Sequence, residues 1–337
     1  MRQWGRVAGG VLAGCLVAGC SFLPGLNRTA EQGQATPAAT ATPKPSASAL
    51  APMAQSVLKD YIKRNNAANE ALSDDLLATY EGGSSLAIDK AAYLSQRKLG
   101  DDEYTPFSYV RPTFVAPATR QWFLASVYWK GRSKTAEDPT YLVFARDRGA
   151  WRQMYAPDVF ENLTADDVPK LQTDAAGAAT EVDQADATGL LMSPADFAGD
   201  YADHLMGKGS TATRSRFAAD VLTTNAATNR IKMRRYARLT EDVNPATEYP
   251  SYALRTADGG ALVFTTLQRT KRYDVIQSSQ RNYVFQKDNG ILPGKYYTYM
   301  TVGDLLQVAA YIPPKTAEPA QVKVIGSYTG IVAGRGR

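Results

Sequence analysis

Gln121-Trp122-Phe123-Leu124-Ala125-Ser126-Val127-Tyr128-Trp129-Lys130 is the stretch from which the fold can be read. Side chains alternate across a strand, and here Phe123, Ala125, Val127 and Trp129 make one wholly apolar face while Trp122, Leu124, Ser126 and Tyr128 make a mixed one. The segment reads as a strand central in its sheet. Outward from it, Tyr109 to Val115, Tyr141 to Asp147 and Ala150 to Tyr155 are rich in aromatic and β-branched residues, and Asp147-Arg148-Gly149 marks a tight hairpin. Together they predict an antiparallel meander of about four strands.

Upstream the period changes to that of a helix. Val57, Leu58, Tyr61 and Ile62 recur on one face while Lys59, Lys63 and Arg64 look away. Ser73 followed by Asp74 and Asp75 reads as an N-cap with acids in the first turn, Gly82-Gly83 closes that segment, and a short helix is expected over Leu86 to Leu94.

A similar order follows downstream. Ser193 as N-cap, Pro194 at the first helical position, Asp196 in the first turn and Gly207 past the end define a helix lined by Phe197, Tyr201 and Leu205. A second helical run covers about Arg214 to Ala227. Tyr252 to Thr256 and Ala261 to Thr270 flank the hairpin signal Ala257-Asp258-Gly259-Gly260. Tyr296 to Met300 reads as a strand, Thr301 to Ala309 fits a short helix equally well, and Val322 to Thr329 is the last strand. The expectation is an α+β protein with two tandem helix-then-antiparallel-sheet domains, 53–172 and 191–330, joined by a linker at 173–190 and ending in a frayed tail at 331–337.

The N-terminal region has a different character. Arg2 and Arg6 precede a mostly apolar run from Val7 to Gly19 that is too short for a stable membrane span, and small residues precede Cys20. Leu16-Val17-Ala18-Gly19-Cys20 resembles the lipobox of bacterial lipoproteins. That resemblance implies a signal peptide over 1–19, cleavage between Gly19 and Cys20, and lipidation of the Cys20 thiol by acyl chains such as palmitate. The mature protein would be lipid-anchored on the outer face of the cytoplasmic membrane. Residues 20–52 are dominated by Thr, Ala, Pro, Ser and Gln, too polar to offset the entropy of ordering, and read as a disordered tether. The only other cysteine, Cys15, lies in the segment to be discarded.

With the tether and the two helix-then-sheet halves, Tyr80-Glu81-Gly82-Gly83 and Val324-Ile325-Gly326-Ser327-Tyr328 resemble uncharacterised actinobacterial lipoproteins. The order of elements is also similar to cystatin-like and nuclear-transport-factor-like cone folds, in which a helix lies across a bent sheet.

Several function classes are disfavoured. The chain carries 38 basic and 33 acidic residues, and loss of Arg2 and Arg6 leaves 36 against 33, a nearly neutral protein with no interleaved basic and aromatic nucleic-acid patch evident in the sequence. Arg230-Ile231-Lys232-Met233-Arg234-Arg235 reads as the edge of a strand or helix with one solvated face. The one histidine, His204, lies in the capped helix, where it reads as a surface residue rather than a general base; a catalytic triad would have to use it and no nucleophile-elbow sequence is present, while a Cys/His zinc site lacks its cysteines in the mature chain. Asp74-Asp75, Asp101-Asp102-Glu103 and Asp166-Asp167 read as caps and solvated loops. The expectation is a non-enzymatic binding or assembly module of the cell envelope, without cofactor or metal. Its expected partners are the membrane through Cys20 and an envelope protein or small hydrophobic ligand. The alternatives are a carrier with a cone-shaped cavity or a cone-fold enzyme using carboxylate and Tyr residues. Tyr80, Tyr93, Trp122, Tyr128 and Trp151 are the candidate binding residues, and Asp89 joins Tyr80 and Tyr93 as a cavity candidate.

Overall fold

The computed structural model describes residues 50–100, 104–130, 138–161, 163, 167–276, 282–286 and 289–337. The lipobox with Cys20, nearly all of the tether, Asp101-Asp102-Glu103 and Asp166 lie outside the described residues. Three helices come first: α1 (Leu50–Ala71), α2 (Asp74–Leu77) and α3 (Gly83–Leu99). Leu50, the first residue of α1 and three residues before the expected boundary, is already buried in the core. Ser73 caps α2 by accepting from the Leu76 N–H, and α3 runs well beyond Leu86–Leu94 to end at Gly100 in the left-handed region.

The strands β1 (Tyr109–Val115), β2 (Trp122–Trp129), β3 (Thr140–Asp147) and β4 (Ala150–Tyr155) form the expected meander, followed by the two-residue β5 (Asp158–Val159). Arg148 and Gly149 both have positive φ, as a two-residue hairpin turn requires. Phe123, Ala125 and Val127 of β2 pack under α1, whereas Trp122 and Leu124 enter a separate core on the other face. The central position read from the alternation is where β2 sits, between β1 and β3.

Helices α4 (Pro194–Leu205), α5 (Thr211–Arg214) and α6 (Val221–Met233) open the second half, and Ser193 and Pro194 cap α4 as their chemistry dictates. The expected helix over Arg214–Ala227 is broken, because Phe217 leaves the helical path to pack beside Phe197 and Tyr201. Arg230 to Met233 close α6 and do not form a strand edge. The strands β6 (Ala237–Pro245), β7 (Tyr252–Arg255), β8 (Ala261–Val275), β9 (Val284–Gln286), β10 (Gly294–Tyr296), β11 (Tyr299–Ile312) and β12 (Lys323–Gly336) follow. Thr301 to Ala309 is strand, buried between β8 and β12, where long-range pairing overrides local helical preference.

Two differences from the sequence reading bear on function. First, the sheet is continuous: its order is β1-β2-β3-β5-β12-β11-β8-β6, with β4 on β3 and β7 on β8, and β5 stitches the halves by pairing Val159 with Gly326 and Asp158 with Ser327. The fold is mixed helix and antiparallel sheet, mostly sheet, and residues 173–190 pack against both halves through Ala179, Val182 and Leu190. Second, residues 331–337 are not frayed. Ile331 and Ala333 are buried, and β12 pairs with β11 as far as Gly336 opposite Met300. Its glycines admit close neighbours: a Cβ at Gly330 would lie 2.4 Å from Ile88, and one at Gly334 only 1.9 Å from Leu292.

Candidate functional site

A cavity of about 500 Å³ lies between α1, α3, the β1–β2 strands and the middle of β12. One wall is a polar ladder on α1. Asn65 donates to the Tyr61 hydroxyl at 2.9 Å, Asn69 donates to Asn65 at 2.6 Å, and Tyr93 of α3 donates to Asn69 at 2.5 Å. Positions four apart stack on one helix face, so the Tyr61, Asn65 and Asn69 spacing builds this ladder. Asn66, one step round the helix, clamps the chain entering β1 by bonding both the N–H and the carbonyl of Phe107. The opposite wall is aromatic: the rings of Phe107, Tyr109 and Trp129 lie 4.8–5.3 Å apart, and the Trp129 indole donates to Asp158 at 3.2 Å.

The inner wall is acidic. Glu81 is wholly buried, and Asp89 lies in front of it on the cavity surface. Glu81 is held there by backbone: the Gly82 N–H donates to Gln153 of β4 and the Gln153 N–H donates to Tyr80. Gly82 and Gly83 permit that approach, since a Cβ on Gly82 would lie 2.8 Å from the Met154 sulfur and Gly83 has φ +55°. From the far end of the chain, the Tyr328 hydroxyl of β12 donates to Asp89. The two stretches Tyr80–Gly83 and Val324–Tyr328 therefore meet at one carboxylate.

Burial raises the Glu81 carboxyl well above its usual range, and the neighbouring charge of Asp89 raises it further. Burial also pushes Asp89 up to about 6, against the lowering influence of hydrogen bonds from Tyr328 and Glu81. Burial and the mutual repulsion of the two carboxyls both favour the protonated form of Glu81, the more deeply buried of the pair. Arg97 also lines the cavity, but it pairs with Asp74 at 2.9 Å. Chemically the site offers a desolvated anion, a set of hydroxyl and amide groups, and aromatic faces.

Residues 47–336 match a family described as a domain of unknown function, DUF8094. The chain belongs to the DUF8094 family. The matched span contains every wall of the cavity. An uncharacterized lipoprotein of Streptomyces coelicolor is 28% identical over 300 residues, covering 84% of each chain. An uncharacterized lipoprotein of Streptomyces avermitilis is 26% identical over 288 residues, covering 83% of each. No solved structure matches.

Within the DUF8094 fold the residues singled out from sequence are dispersed. Tyr93 lines the cavity, and Tyr80 is buried next to it with its ring 5.6 Å from Tyr61. Trp122 lies on the opposite face of the sheet, donating to Glu181 at 2.7 Å. Tyr128 lies under the Arg111 guanidinium at 3.9 Å, and Trp151 under that of Arg146 at 4.4 Å. His204 stacks on Phe217 in the second half, away from the cavity. Among the described residues no three His, Cys, Asp or Glu side chains are grouped to hold a metal, and no helix is long and apolar enough to cross a membrane. The sequence reading quoted Glu81 and Tyr328 only within the two stretches that carry the family resemblance, without joining them to Asp89, and it missed the asparagine ladder. The run Asn65-Asn66 with Asn69, polar side chains spaced along a helix otherwise expected to bury one face, was the signal for the ladder.

Proposed function

We propose that this DUF8094 protein is a lipoprotein, tethered through lipidated Cys20 to the outer face of the cytoplasmic membrane, that binds a small organic cation in the cavity of its first half. The observation that carries the reading is Asp89, a carboxylate on the cavity wall that accepts from the Tyr328 hydroxyl beside a wall of aromatic rings. A buried charge demands a complement, and a ligand ammonium group supplies one. The aromatic wall would attract the same ligand by cation–π contact and accept its apolar body. A volume of about 500 Å³ falls within the range of small-molecule sites. This favours the carrier reading over a pure assembly module. The names of the Streptomyces relatives support the lipid anchor.

Calorimetry with alkylammonium probes and their neutral carbon isosteres tests the ligand class. One ammonium probe should bind per chain while its neutral isostere does not; equal binding of both, or of neither, removes the proposal. The anchor has its own test. Metabolic palmitate labelling and detergent partitioning should both disappear in Cys20→Ser, and their persistence would place the lipid elsewhere.

A further inference from the structure

The end of the sheet farthest from β1 carries a second feature that the cavity does not use. Tyr236, Ile276, Tyr283, Phe285 and Tyr297 are each between 36% and 50% exposed, five of the nine exposed large apolar side chains among the described residues. They form one surface. The Ile276 N–H and the Asn282 amide both donate to the Tyr236 carbonyl, at 2.9 and 3.1 Å, and the Tyr283 ring lies 5.9 Å from Tyr297 and 6.5 Å from Phe285. The alternation of the small β9–β10 hairpin explains the display. Val284 and Tyr296 turn into the core, so their neighbours Tyr283, Phe285, Lys295 and Tyr297 turn out.

Basic groups lie against two of these rings and against Tyr299, which shares the Arg337 carbonyl with Tyr297. Lys295 is 4.8 Å above Tyr283, Arg235 is 5.1 Å above Tyr236, and Arg272 and Arg337 are 4.7 and 5.9 Å from the Tyr299 ring. Exposed Arg234 and Arg335 adjoin them along the chain. The carboxylate of Asp274 in this region is already paired with Arg272 at 2.8 Å. Exposed basic side chains thus lie beside exposed aromatic rings.

We infer that this surface docks the folded body onto an anionic phospholipid bilayer. Tyr and Phe rings rimmed by Lys and Arg match the headgroup layer, where rings sit at the boundary and cations meet phosphate. Each Lys or Arg near such a surface adds attraction that salt screens. The surface is separate from the cavity, and the inference does not depend on what the cavity binds.

The full chain carrying Cys20→Ser, which removes any acyl anchor, is sedimented with vesicles of phosphatidylglycerol and phosphatidylcholine and with vesicles of phosphatidylcholine alone. Binding is expected only to the anionic vesicles and should fall as salt rises. The double variant Lys295→Glu/Arg337→Glu should bind about tenfold or more weakly. Phe285→Ser/Tyr297→Ser should weaken binding even at low salt. All four side chains are exposed, so an unchanged melting temperature would show that the variants fold. Equal binding to both vesicle types, wild-type binding by the charge-reversed variant, or a dimer in solution that these substitutions dissolve would each overturn the inference, the last by assigning the surface to a second copy.

Discussion

Asp304→Ala is expected to lower the free energy of unfolding by about 3–5 kcal/mol. Asp304 on β11 is wholly buried between two cations of β8: Arg269, whose Nε donates to it at 2.5 Å, and Lys271 at 3.0 Å. The three lie on one face of the sheet, between the apolar cluster of Leu267 and Leu306 and that of Tyr273 and Val302. Removing the carboxylate would leave two cations away from water, with Glu241, itself paired with Arg230, as a more distant counter-charge for Lys271. Burial already lowers the Lys271 pKa, with Asp304 opposing that effect. Lys271→Met should cost far less, because the Arg269–Asp304 pair survives and a flexible apolar side chain replaces the ammonium. Urea unfolding of the three proteins measures this. A loss below about 1 kcal/mol for Asp304→Ala would mean that water reaches the triad.

Asp89→Asn is expected to weaken binding of an ammonium ligand about 10- to 100-fold, the worth of a charged hydrogen bond of about 1.5–3 kcal/mol. The same substitution should change how stability depends on pH. In the folded protein Asp89 is raised from 3.8 to about 6, and Glu81 is raised as well. The folded state therefore binds protons more tightly than the unfolded chain, and stability contributed by these groups is present at low pH and lost as pH rises from about 4 through about 6 and beyond. Ligand affinity should move the other way, rising through about pH 6 as Asp89 ionises. In Asp89→Asn the rise in affinity should vanish and the fall in stability should be shallower, with Glu81 alone remaining to titrate. Calorimetry and thermal unfolding between pH 4 and pH 8 check both trends. Unaltered affinity in the variant would remove Asp89 from the site.

Much of the fold was legible because it is encoded locally. The alternation in β2, the Arg148-Gly149 turn and the caps Ser73 and Ser193 each depend on residues within a few positions of one another. The continuity of the sheet was not legible, because it rests on β5, two residues long, pairing with a strand more than 150 positions later. The C-terminal glycines misled for a related reason. Glycine reads locally as loose chain, yet Gly330 and Gly334 are small because Ile88 and Leu292 lie against them. At the site, Asp89 and Tyr93 could be named from their helix, whereas Tyr328 stands 239 positions from Asp89 and nothing near it announces the contact.

The pairing of β5 with β12 also bears on biosynthesis. The last strand supplies both the seam between the halves and the hydroxyl that meets Asp89. A nascent chain emerging N-terminus first holds nearly the whole cavity yet lacks its final wall until β12 has been made. A chain lacking β12 thus loses at one stroke the seam that joins the halves and the hydroxyl that meets Asp89.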